Sequence, residues 1–240
     1  MIVSSTEVQN NFGKYLSMLE KEDVIITKNG KKVGCLSSYQ ENSDYVVGEK
    51  KFNYSYDGKK ISYEEFLEIA QDSDNRHEYL NGKIYLLASP KVNHQKIVMV
   101  LSSIFFNYFN KKNCFPFSSP LDVTLYKKNK PNVVQPDLLV ICDQENIKED
   151  DSYEGIPSLV VEVLSKSTMS KDLIEKLNIY MAGGVGEYWI VNPFSKEVSI
   201  YFFKEKEIAE SITYKKKEKA RSLLFSDLKV DLADIFIEFS

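Results

Sequence analysis

A glutamate stands inside an otherwise aliphatic run, Leu159-Val160-Val161-Glu162-Val163-Leu164, and it constrains the fold more than any other feature of the chain. A short continuous apolar run rich in β-branched residues reads as a strand buried on both faces. A carboxylate in such a place is tolerated only when a cation, backbone donors or a metal ion meets it. Whatever this chain folds into must therefore bring a compensating group to Glu162.

Two further acids stand at the edges of apolar strands. Asp137 follows Pro136 and opens Leu138 to Cys142, and Glu78 lies in Arg76-His77-Glu78-Tyr79-Leu80. If the Asp137 and Glu162 strands are neighbours, their carboxylates can converge on one divalent ion. Magnesium suits such a pair, because it takes one or two carboxylates and fills its remaining positions with water and phosphate oxygens. An ion held so can polarise a phosphodiester and activate water. Lys176, in the helix expected after the Glu162 strand, is the candidate point charge beside it. Each residue also has a plainer reading. Asp137 can be a strand starter after proline, Lys176 a solvated helix residue, and His94 a cap or packing residue near a helix start. Glu162 alone is placed inside by the pattern around it.

Composition excludes several classes. With 240 residues, 43% hydrophobic and 28% charged, the chain has ordinary globular composition. Its formal charge of −4 excludes a polycationic nucleic-acid coat, so any DNA contact must come from local patches. No apolar run approaches the roughly 20 residues of a membrane span. The start, MIVSSTEVQNNF, has neither a basic beginning nor an apolar core, so a cytoplasmic protein is expected. Cys35, Cys114 and Cys142 are far apart and odd in number, and are expected as buried free thiols. Arg76 and Arg221 are the two arginines of a lysine-rich chain.

The pattern divides the chain at a polar stretch, giving a module over 1–40, a linker over 41–59 and a larger domain over 60–240. In the first, Ile2 and Val3 suggest a strand. Ser4 with Glu7 forms a capping box, and Val8, Phe12, Leu16 and Leu19 fall on one face of a helix ending near Glu20. Val24 to Thr27 and Lys31 to Leu36 flank the hairpin signal Asn29-Gly30. A unit this small buries too little apolar surface to stand alone, so dimerisation or docking is expected. The larger part suggests a helix over 63–70, a hairpin over 76–87 turning at Asn81-Gly82 and a long helix over 93–109. Strands follow at 121–126, 137–142 and 158–164, then a helix over 170–181 closed by Gly183-Gly184. Strands at 187–191 and 198–203, one or two further strands in the tail and a terminal apolar segment, 232–239, complete it. This order fits a mixed α/β sheet flanked by helices.

On these residues, the segment from Ile61 to the end resembles the Uma family of restriction endonucleases. The matching stretches are ISYEEFLEI, RHEYLNGKIYLLASP with NHQKIV, NVVQPDLLVIC, PSLVVEVLSKST and KDLIEKLNIYMAGGVGEYWIVNP. The resemblance implies a restriction-endonuclease-like fold and a PD-(D/E)XK-type site with Mg2+ or Mn2+. Asp137 and Glu162 would be metal ligands and Glu78 the helper carboxylate that completes the set. The motif's usual lysine position falls on Leu164, and Lys176 would replace it from the following helix. His94 matches a recurrent family histidine. The family's Asp-Gly-Glu at the first hairpin is Asn81-Gly82-Lys83 here. Residues 1–40 resemble Phd/YefM-type antitoxins through VSSTEVQNNFGKYL and DVIITKNGKKVGCL, which implies a small α+β module that dimerises or binds DNA; the family's basic helix residue is Gln9 here.

The expected function is a metal-dependent DNA endonuclease fused to an antitoxin-like module. The alternative is a DNA-binding, antitoxin-like regulator whose nuclease-like half is inert. DNA and a second copy of the chain are the expected partners, without membrane contact; a toxin partner is left open.

Overall fold

The computed structural model describes residues 1–19, 23–36, 57–73, 75–128, 130–149, 152–165 and 171–237. The chain divides into two units, Met1–Lys51 and Phe52–Ser240. Residues 41–56 of the expected linker, Glu20 at the end of the first helix, Ser170 at the start of another and residues 238–239 lie outside the described residues.

In the first unit, β1 (Ile2–Ser4) pairs in parallel with β2 (Val24–Lys28), and β2 turns back antiparallel into β3 (Lys31–Leu36). Asn29 and Gly30 carry φ of 50° and 74°, the pair of left-handed residues that a tight hairpin needs. Ser4 accepts the Glu7 N–H at 3.1 Å and caps the helix as its sequence suggests. The expected single helix breaks at Asn11, leaving α1 (Ser5–Asn10) and α2 (Phe12–Met18). Asn11 leaves helical geometry and turns its amide onto the Glu7 carboxylate at 3.1 Å. The break resets the helical phase. Tyr15 joins Val8 and Val24 in the core, whereas Phe12, expected inside, is 48% exposed.

The second unit runs α3 (Tyr63–Asp72), β4 (His77–Leu80), β5 (Lys83–Leu86), α4 (Val92–Phe109), β6 (Phe115–Ser118), β7 (Val123–Lys127), β8 (Lys130–Val134), β9 (Leu138–Ile141) and β10 (Leu159–Val163). A π-helical turn, Lys171–Lys176, runs into α5 (Leu177–Gly183). Then come β11 (Glu187–Asn192), β12 (Glu197–Lys204), β13 (Glu207–Lys215), β14 (Lys219–Arg221), β15 (Lys229–Asp231) and α6 (Leu232–Ile235). Six strands form the main sheet in the order β13-β12-β11-β10-β9-β6, and β5-β4-β8-β7 form a second. This is a mixed α/β architecture.

Within the main sheet β10 and β11 are parallel, and a parallel pair needs a crossover. The π-turn and α5 supply it, and Gly184 closes α5 at φ 95°. Alternation along β10 splits the core. Leu159, Val161 and Val163 pack with Ile97, Leu101 and Phe105 of α4, while Val160 and Leu164 pack with Leu139, Ile179, Tyr180 and Leu125. Glu162 has the parity of the second set.

The cysteines depart from expectation. Cys35 is exposed, and Cys114 and Cys142 form a disulfide. Phe115 pairs with Ile141 across β6 and β9, so one residue outward Cys114 stands opposite Cys142. Spacing in sequence says nothing of that register.

Candidate active site

Three neighbouring strands set out a row of polar groups on one face. Ser118 pairs with Leu138, and Leu138 pairs with Val161. Carried one residue further, both antiparallel registers put Ser119 opposite Asp137 and Asp137 opposite Glu162. Two hydrogen bonds bear this out: Ser119 N–H donates to the Asp137 carbonyl at 3.2 Å, and Val163 N–H donates to Asp137 Oδ2 at 2.8 Å. Directly opposed residues share a face, their Cβ atoms about 5 Å apart.

The group that meets Glu162 is Lys176. Its ammonium donates to Glu162 Oε1 at 2.8 Å and pairs with Glu78 Oε1 at 2.7 Å. The three side chains are nearly sealed: Lys176 and Glu162 are 5% exposed and Glu78 1%. Glu78 arrives from β4 of the second sheet, and the Gln135 N–H donates to the same Glu78 oxygen at 3.0 Å. Tyr180, one helical turn after Lys176 and so on the same face, donates its hydroxyl to Glu162 Oε1 at 2.6 Å. Burial, then the neighbouring Glu162, Tyr188 and Glu78, push the Tyr180 phenol well above its ordinary range, so it stays a donor. The π-helical turn that presents Lys176 is a rare element often found at functional sites.

Asp137 is held differently. Its Oδ2 lies 3.0 Å from His94 Nε2, and the two side chains are 19% and 14% exposed. His94 sits in the first turn of α4, so the long helix aims it at the row. Glu78, Glu162 and Lys176 thus meet at hydrogen-bond distance, while Asp137 stands beside them on the next strand with His94 as its partner. Tyr180 carries no signal in the sequence beyond its four-residue spacing from Lys176. Leu164, at the motif's usual lysine position, is buried at 1% among apolar side chains.

Among the described residues, no three acidic, histidine or cysteine side chains stand so as to cage a metal ion. The donor chemistry that remains suits an ion needing fewer protein ligands. Glu78 Oε2 is buried without a hydrogen-bond partner, and Asp137 is the most exposed of the three acids. Two carboxylates with water and phosphate oxygens are what magnesium accepts.

Comparison with known proteins agrees with the architecture. The chain is 32% identical over 143 residues to the uncharacterized protein slr1290 of Synechocystis, a match covering 59% of this chain and 74% of that one. A second uncharacterized Synechocystis protein, sll1609, is 25% identical over 146 residues, covering 60% and 81%. The crystal structure of a protein from Anabaena variabilis, titled a "putative nuclease belonging to DUF820", shares the fold with a TM-score of 0.60 at 19% identity, covering 72% of this chain and 96% of that one. No helix among the described residues is long and apolar enough to cross a membrane. Residues 63–233, running from α3 into the start of α6 and including all four of Glu78, Asp137, Glu162 and Lys176, match the Uma2 model described as "Putative restriction endonuclease", and the chain belongs to that family.

Proposed function

We propose that the second unit is a metal-dependent DNA endonuclease with its site at Glu78, Asp137, Glu162 and Lys176. The observation that carries this is a buried ammonium shared by two glutamates, one strand away from an aspartate on the same face. Such a cluster is costly for a fold to keep and has a ready chemical use. Asp137 and Glu162 would hold Mg2+ or Mn2+, with Glu78 as the nearby helper carboxylate; the bound ion supplies charge neutralisation at the phosphodiester and activation of water. Lys176 offsets the repulsion between Glu78 and Glu162 and offers a fixed positive charge to the attacking water or the developing phosphorane. Tyr180 and His94 fix the carboxylates they touch, so that neither must reorganise as substrate arrives.

Supercoiled plasmid incubated with the pure protein and magnesium or manganese tests this. Nicking is expected, and Asp137→Ala is expected to abolish it. No nicking by the wild type, or equal nicking by the variant, refutes it.

One observation favours a second reading. Lys176, Glu78 and Glu162 are nearly sealed from solvent, as in a purely structural ion cluster. In that case the protein is a DNA-binding regulator with an inert nuclease-like half, and gel-shift binding survives Glu162→Ala without metal. For the first unit we propose an antitoxin-like module that dimerises, supported by the exposed apolar side chains Ile2, Phe12 and Val33.

A further inference from the structure

We infer a phosphodiester-binding subsite made by Arg76 and Ser119 at the end of the acidic row. Arg76 just precedes β4. Leu87 N–H donates to the Arg76 carbonyl at 2.9 Å, so the hairpin ladder extends to it. Two residues from Glu78, Arg76 has its parity and presents its side chain on the same face. Its Nη1 donates to Ser119 Oγ at 2.8 Å, and Ser119 stands opposite Asp137. From Arg76 the row therefore runs through Ser119, Asp137 and Glu162 to Lys176.

The tether matters because of what it is not. A serine oxygen is neutral, and no carboxylate pairs with Arg76 among the described residues. A half-buried guanidinium is thus fixed by one of its five donors and, among the described residues, ion-paired to no carboxylate, at the end of a row of acids that would repel an incoming anion. Guanidinium is also the side chain whose planar fork matches phosphate oxygens, which lysine, used nearly everywhere else in this chain, does not do. Cβ atoms of opposed residues lie about 5 Å apart, so Ser119, to which the fork is bonded, stands one strand spacing from Asp137. In this arrangement Arg76 is a positioning residue, holding a backbone phosphate against the acids. The subsite deepens the nuclease reading of the same site.

The test is duplex DNA binding by fluorescence anisotropy, with calcium in place of magnesium, from 50 to 200 mM NaCl. Each phosphate contact contributes about 0.9 to the slope of log affinity against log salt. Arg76→Gln is expected to reduce the magnitude of that slope by about 0.9 and to weaken binding equally for all sequences, while Arg76→Lys restores the slope. An unchanged slope in Arg76→Gln overturns the subsite, whatever the plasmid assay shows. If the slope falls but wild-type protein leaves plasmid intact with magnesium, the subsite stands and the nuclease reading fails. No DNA binding by the wild type overturns both. Should Arg76→Gln not fold, phenylglyoxal labelling of the wild type replaces it: DNA is expected to protect Arg76, and equal labelling with and without DNA overturns the subsite.

Discussion

Replacing Lys176 by methionine removes the cation and leaves its length. The structure sets the cost. Lys176 makes contacts of 2.7 and 2.8 Å with two carboxylates that are 1% and 5% exposed, and neither Glu78 nor Glu162 can swing into water without opening the packing between the sheets. Removing one partner of a buried pair costs about 3–5 kcal/mol, because the other charge is left stranded. Here two carboxylates are stranded facing each other, so the upper part of that range is expected. For a domain of this size each kcal/mol lowers Tm by about 2–4 °C, so a loss of about 4–5 kcal/mol should make Lys176→Met melt about 8–20 °C below wild type. Urea unfolding followed by fluorescence of Trp189 measures it. That residue is the chain's one tryptophan, is fully buried, and pairs with Val161 beside Glu162. Adding Glu78→Gln should recover part of the loss, since it removes one of the stranded charges. The exposed pair Lys148–Glu154 is the control: Lys148→Ala should cost no more than about 1 kcal/mol. A loss below about 1 kcal/mol in Lys176→Met, matching the control, would mean that the ammonium is solvated and that the cluster is not the buried bridge described above.

Two further outcomes follow from other parts of the molecule. Burial works to raise the Asp143 carboxyl, but hydrogen bonds from Tyr153, Asn146 and the Ile156 N–H outweigh it and hold the group below its ordinary 3.8. A folded-state value below the unfolded one gives stability that is present above the unfolded value and lost as pH falls through the folded one. The stability gap between wild type and Asp143→Asn should therefore be full at pH 7 and shrink below about pH 4; a gap that stays constant down to pH 3 would refute it. Deleting residues 1–36 should leave the Trp189 unfolding transition in place and reduce the particle read by light scattering from two chains to one. A truncated particle that still holds two chains would remove the dimerisation role proposed for the first unit.

Legibility in the sequence followed how local each cause was. The turns at Asn29-Gly30 and Asn81-Gly82 and the helix end at Gly184 depend on one or two residues with positive φ, and the pattern shows them directly. Glu162 is legible because its neighbours within the same strand fix its burial. What meets it is not, because Lys176 and Tyr180 arrive through the crossover and Glu78 from another sheet. Between α4 and β9 two strands escaped notice because each contains proline, Pro116 in β6 and Pro131 in β8. Both are tolerated for reasons visible only in three dimensions: β6 is the edge of its sheet, and β8 pairs with β4 only at Val133. The break at Asn11 and the disulfide are likewise matters of side-chain capture and register, invisible to periodicity.

Lys176 and Tyr180 reach one carboxylate oxygen from positions four apart on a single helical face. A helix advances about 100° per residue, so adding or removing one residue between them would swing one group to another side of the cylinder. Substitution at the intervening positions leaves that angle untouched. The number of residues from 177 to 179 is therefore a constraint separate from their kind: Ile179 is also held by its place in the core, but at Asn178, which is only half-buried, a one-residue deletion would be damaging where a substitution would be tolerated.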